Sequence, residues 1–178
     1  MSFEIEVLLV SFAISIILGI ITIPILRKLK VGQIERDDGP ASHLKKQGTP
    51  TMGGIVIIIT MIIGTVATAV YLFATGEAEL AAKLMPILLL TIGFGAIGFI
   101  DDYKKLVLKN TEGLKPSYKM LGLLVISVAY VLYLIEGLKL GTDTYIPILK
   151  QYITLPLYIY VPAAICVILA TTNAINLT

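Results

Sequence analysis

Five apolar runs constrain this chain more than anything else in it: Val7 to Leu26, Ile55 to Phe73, Leu84 to Ile100, Tyr118 to Ile135 and Leu157 to Ala170. A helix rising 1.5 Å per residue needs about 20 such residues to cross a bilayer. Ionisable residues stay out of these cores, with Lys119 standing at the edge of the fourth. Lipid offers backbone groups no partner, so each run pairs its own amides as a helix, even the Val-, Ile- and Thr-rich second one. The expected fold is an all-α, polytopic transmembrane helix bundle, with residues 1–178 as a single transmembrane domain. Composition agrees, since 57% hydrophobic and 15% charged residues lie far from the roughly 25% charged of soluble domains. A cleavable signal peptide is excluded: Arg27, Lys28 and Lys30 follow the first apolar core instead of preceding it. Cys166 cannot form a disulfide within the chain and reads as packing, and Pro162 is a candidate kink in the fifth span.

The basic residues are sorted by loop. Arg27, Lys28, Lys30, Arg36, Lys45 and Lys46 follow span one, and Lys104, Lys105, Lys109, Lys115 and Lys119 follow span three. Those are eleven of the fourteen Lys and Arg. The positive-inside rule therefore puts the N-terminus outside and the loops 27–54 and 101–117 in the cytoplasm, joined there by Asn173 to Thr178. A net charge of +2 gives no reason to expect a nucleic-acid partner. On the outer side, residues 136–156 carry apolar stretches around Tyr145 to Leu149 and from Ile153 that suit the membrane interface.

Chemistry concentrates on the inner side. Asp101 and Asp102 close the third span, where helix carbonyls disfavour negative charge by some tenths of a kcal/mol to about 1 kcal/mol. Two readings of the pair stand open. Lys104 and Lys105 neutralise a solvated helix end, or the carboxylates organise Mg²⁺ and phosphates, because hard cations take oxygen ligands. Adjacent helical residues face different ways, so the two Asp would have different jobs. The nearby Gly93-Phe94-Gly95-Ala96-Ile97-Gly98 matches a dinucleotide-binding pattern in form only; inside an apolar span, small residues serve close helix packing. In the first inner loop, Asp-Gly-Pro, Gly-Thr-Pro and Gly-Gly fix backbone conformation around His43, Lys45 and Lys46, a set suited to a diphosphate. Lys28 and Lys30 read as ordinary span-flanking charges. Lys119 either snorkels or meets a lipid phosphate, and Asn173 and Asn176, three apart, share a helix face.

Ser42-His43-Leu44-Lys45-Lys46 through Thr49-Pro50-Thr51-Met52-Gly53-Gly54, then Gly98-Phe99-Ile100-Asp101-Asp102-Tyr103-Lys104-Lys105, then Asn173-Ala174-Ile175-Asn176-Leu177-Thr178, resemble in order the bacterial phospho-N-acetylmuramoyl-pentapeptide transferases. The resemblance implies an inner-membrane enzyme of about ten spans. It would move phospho-MurNAc-pentapeptide from UDP-MurNAc-pentapeptide to undecaprenyl phosphate, giving lipid I and UMP with Mg²⁺ as cofactor. A homodimer and inhibition by nucleoside antibiotics follow from the same likeness. Carried over, Asp101 matches the proposed base for the lipid phosphate and Asp102 its neighbour in the cleft. Lys46 and Thr51 match the nucleotide pocket, His43 lies in the same loop motif, Lys119 matches the polar cleft, and Asn173 and Asn176 open a further acidic motif. That motif and the principal Mg²⁺ ligand are expected beyond Thr178, so residues 1–178 alone are expected to be inactive. Leu123 stands where many relatives have Gln. Direct attack and a covalent intermediate both remain open.

Two alternatives compete. A polyprenyl-phosphate N-acetylhexosamine-1-phosphate transferase shares the paired Asp but not the Ser-His-Leu-Lys-Lys stretch. A transporter or structural subunit is disfavoured by span cores without ionisable groups and by the polar residues gathered on the inner side.

Overall fold

The structure, a computed structural model, describes residues 2–28, 52–106 and 113–176. Five helices account for the five apolar runs: α1 (Phe3–Lys28), α2 (Gly54–Ala74), α3 (Ala78–Leu106), α4 (Pro116–Leu132) and α5 (Leu157–Asn176). Each is long and apolar enough to cross a membrane, α4 with the π-turn Tyr133–Gly137 that ends it. The helices outrun the apolar cores because charged residues at their ends, such as Glu4, Lys104 and Lys105, continue the hydrogen-bonded backbone past the hydrocarbon. Pro24, Pro86 and Pro162 all lie inside helices, and α5 is continuous through Pro162.

Residues 1–115 and 116–178 form two compact units. In the first, α2 packs between α1 and α3. The α2–α3 turn is dictated locally. Gly76 takes φ 88°, its N–H bonds the Phe73 carbonyl, and the Glu77 N–H bonds the Leu72 carbonyl. This is the paired closure that a left-handed glycine gives a helix C-terminus. The Thr75 hydroxyl donates back to the Tyr71 and Leu72 carbonyls. Beside the turn, Ala69, Leu72 and Ala81 form a small core flanked by Phe3, Leu84 and Met85, and the Phe3 and Tyr71 rings stack at 4.8 Å. Further along, Gly64 lies against Ser11, and Gly95 against Ile58. The three helices therefore alternate in direction. The end of α1, the start of α2 and the end of α3 share one end of the unit.

In the second unit, α4 packs on α5, with Tyr130 beside Tyr160. Between them a hairpin, β1 (Asp143–Ile146) and β2 (Gln151–Thr154), pairs antiparallel with Tyr145 opposite Tyr152. Those rings lie 5.1 Å apart, and Ile148 at the tip is 91% exposed. The Thr142 hydroxyl and the Leu155 carbonyl close its base at 2.6 Å. Sequence patterning alone suggests only apolar stretches here.

Most large apolar side chains point outward, and in α1 only Leu26 is buried. A helix apolar on every side is what a lipid-facing span requires. Cys166 is among the outward residues, which corrects its reading as packing: among the described residues α5 packs mainly on α4, and Cys166 lies on its uncovered surface. Hydroxyls inside the spans satisfy themselves. Thr60 donates to the Val56 carbonyl at 2.8 Å and fully buried Ser127 to that of Leu123 at 2.7 Å, which removes the cost of an unpaired polar group in an apolar medium.

Candidate functional site

Helix α3 delivers Asp101 and Asp102 to the end of the first unit in different orientations, because successive residues turn about 100° around a helix. Asp101 is 7% exposed. One carboxylate oxygen meets the Lys105 ammonium at 2.8 Å, one helical turn on. The other accepts the backbone N–H of Leu114, also at 2.8 Å, from the segment that follows α3. A carboxylate at a helix C-terminus is disfavoured by the backbone dipole, and burial adds a desolvation cost. The charge-assisted bonds to Lys105 and Leu114 offset both.

Asp102 takes the other direction. It lines a cavity of about 530 Å³ between α2 and α3, with Ile55, Ile58, Ile92 and Phe99 on its walls. The start of α2 contributes Met52 and Gly54 to the same lining. Met52 adopts φ 65°, a left-handed conformation uncommon for a residue with a side chain. Among the described residues no side chain caps α2, and a Cβ at Gly53 or Gly54 would meet no neighbour within 4 Å. Among the described residues, therefore, no packing contact forces these glycines. The small-residue reading of the span holds at Gly95, where a Cβ would run into Ile58, and fails at Gly98, whose Cβ position is open on the cavity side.

His43, Lys46 and Thr51, with Lys45, lie outside the described residues. Lys119 sits half-buried in the first turns of α4, and Asn173 lies near the end of α5, its amide donating to the Leu169 carbonyl at 2.8 Å. Because α4 and α5 pack antiparallel, the two occupy the same end of the second unit. Asn176 is in the last turn of α5. Sequence reasoning missed Gly113 and Leu114, which hold Asp101 from 12 and 13 residues away. The one available signal was a lone glycine between two helices.

Among the described residues no three His, Cys, Asp or Glu side chains gather around a common metal position. Mg²⁺ asks for less than that, since it keeps waters and is often held by one or two carboxylates together with substrate phosphates. Asp102, facing an open cavity, fits such a partial role.

The molecule is thus a polytopic helical membrane protein with paired acidic residues at one helix end, beside an apolar cavity. The model of glycosyl transferase family 4 matches residues 84–178. That is over half of the chain, which belongs to this family. Residues 46–58 match signature 1 of the phospho-N-acetylmuramoyl-pentapeptide transferases. Relatives carrying that name include proteins of Acetivibrio thermocellus, 43% identical over 97% of this chain and 49% of its own length, and Halalkalibacterium halodurans, 40% identical over 96% and 50%. The Bacillus cytotoxicus protein of the same name is 44% identical over 95% and 50%. The chain spans about half the length of the curated relatives it matches.

Proposed function

We propose that this chain forms part of a phospho-N-acetylmuramoyl-pentapeptide transferase. It would transfer phospho-MurNAc-pentapeptide from UDP-MurNAc-pentapeptide to undecaprenyl phosphate at the cytoplasmic face of the bacterial membrane, giving lipid I and UMP. The observation that carries this reading is a continuity of position. Residues 46–58, which match the transferase signature, run into the start of α2, and that start lines the same cavity as Asp102.

Transfer between two phosphates asks for little covalent chemistry and much positioning and charge neutralisation. Asp101 and Asp102 are the proposed reactive carboxylates. Lys46, Thr51 and His43 are proposed to hold the nucleotide diphosphate, with Lys119, Asn173 and Asn176 serving the polar cleft. Asp102 would be the residue here that helps hold Mg²⁺, which when bound would neutralise phosphate charge. The apolar cavity walls suit a polyprenyl chain whose phosphate stays at headgroup level. Sorting of Lys and Arg supports the cytoplasmic orientation and leaves the hairpin on the outer face. A homodimer and inhibition by nucleoside antibiotics belong to the same proposal. Residues 1–178 by themselves are expected to give no turnover.

The test is parallel incubation of the full-length protein in undecaprenyl phosphate-containing vesicles with UDP-MurNAc-pentapeptide or UDP-GlcNAc. Lipid I and UMP should form from the first only. Product from UDP-GlcNAc alone would move the protein to a different transferase, and product from neither would refute the reading.

A further inference from the structure

We infer that Lys105, Gly113 and Leu114 are positioning residues that hold the Asp101 carboxylate in place, which makes Gly113 and Leu114 part of the site. The geometry leaves the carboxylate little freedom. Lys105 takes one oxygen and the Leu114 N–H the other, both at 2.8 Å, while the Asp101 side chain is only 9% exposed. Lys105 is one turn further along the same helix, so α3 itself sets that contact. The second contact depends on the chain returning at residue 113.

Gly113 makes that return possible in two ways. Its φ of 67° is left-handed, a conformation that a side chain disfavours. A Cβ there would also stand 2.5 Å from the bonded Asp101 oxygen and 2.5 Å from the Lys105 Cε. One contact is the carboxylate and the other is the stem of its counter-ion, so a side chain at 113 makes one of these two groups shift from the position in which they are bonded. A turn that only reversed the chain would need the left-handed φ and would tolerate Asn. This one needs glycine for space as well.

The consequence for chemistry rests on the transferase reading, but the holder itself does not. A reactive carboxylate displaced by about 1 Å loses rate on the order of 100-fold, so the holder should govern turnover more than substrate binding. The experiment uses the full-length protein in nanodiscs and reads amide hydrogen exchange across residues 107–116 beside transferase kinetics. In the unaltered protein the Leu114 amide should be protected. Gly113→Ala and Gly113→Asn should both remove that protection and lower kcat on the order of 100-fold with the KM for UDP-sugar unchanged. Lys105→Met should lower kcat and Lys105→Arg restore most of it, a rescue expected only if the cation acts on Asp101. Free exchange at Leu114 in the unaltered protein, full turnover in Gly113→Asn, or equal losses in Lys105→Met and Lys105→Arg would each overturn the inference. If the unaltered protein makes no lipid I, the transferase reading fails and the exchange data alone decide the holder.

Discussion

Gly95 and Gly98 lie three residues apart on α3 and meet different surroundings. A methyl group at 95 would press on the Cδ1 end of Ile58, whereas at 98 it would enter open space beside the cavity. Overpacking costs about 1–3 kcal/mol, and the displaced atom here is the tip of a side chain that borders a cavity. Gly95→Ala should therefore destabilise by about 1 kcal/mol, at the low end of that range, and Ile58→Val in the same chain should recover part of it. Gly98→Ala should stay within about 0.5 kcal/mol of the parent. Thermal unfolding in detergent checks both, and equal losses at the two positions would remove the distinction. Sequence spacing made the glycines visible as a packing device but could not separate them, because which one faces Ile58 depends on how α3 is rotated against α2. The acidic pair was legible in the same partial way. Its place at a helix end follows from hydropathy. That Asp101 turns inward to Lys105 and Leu114, while Asp102 faces a cavity, depends on a chain return with no local signal beyond Gly113.

The helices were legible because lipid leaves the backbone no alternative, so hydropathy marks the core of each, while α3 runs from Ala78 to Leu106 past its Leu84 to Ile100 core and α5 runs on to Asn176 past Ala170. The turn at Thr75-Gly76-Glu77 is equally local. Gly76 has φ 88° and open space at its Cβ position, so a side chain there meets no neighbour and pays only for the backbone. Gly76→Ala should cost about 1 kcal/mol in unfolding free energy, and it should expose the α2–α3 turn to proteolysis from the face opposite the Asp101 end. An unchanged stability would mean that the left-handed closure is not formed. The hairpin was not read from sequence, although Thr144-Tyr145-Ile146 and Gln151-Tyr152-Ile153-Thr154 flank Pro147 with residues that favour strands. In a membrane protein apolar outer loops are easily assigned to the interface, and the pairing of Tyr145 with Tyr152 appears only when register is known. The π-turn ending α4 was hidden for a related reason. Its bond from the Leu138 N–H to the Tyr133 carbonyl leaves no mark on hydropathy.

At the scale of the molecule, charge sorting and the structure agree within the first unit. The end of α1, the start of α2 and the end of α3 fall together, as three alternating crossings demand, and the basic residues of the sequence cluster in the segments joined to that end. Membership of glycosyl transferase family 4 rests on residues 84–178, and the transferase signature rests on residues 46–58, of which Met52, Gly54, Ile55 and Ile58 line the same cavity as Asp102. The central claim is that the loop carrying Lys46 and the helix end carrying Asp102 serve one cytoplasmic site. Single cysteines at positions 46 and 102, placed in the full-length protein with its other cysteines replaced, can be labelled in oriented membrane vesicles by a thiol reagent that does not cross lipid. Both positions should react from the cytoplasmic side and neither from the outside. Reaction of the two from opposite sides would contradict the account, because no arrangement of the remaining chain could then bring nucleotide and lipid phosphate to a common carboxylate.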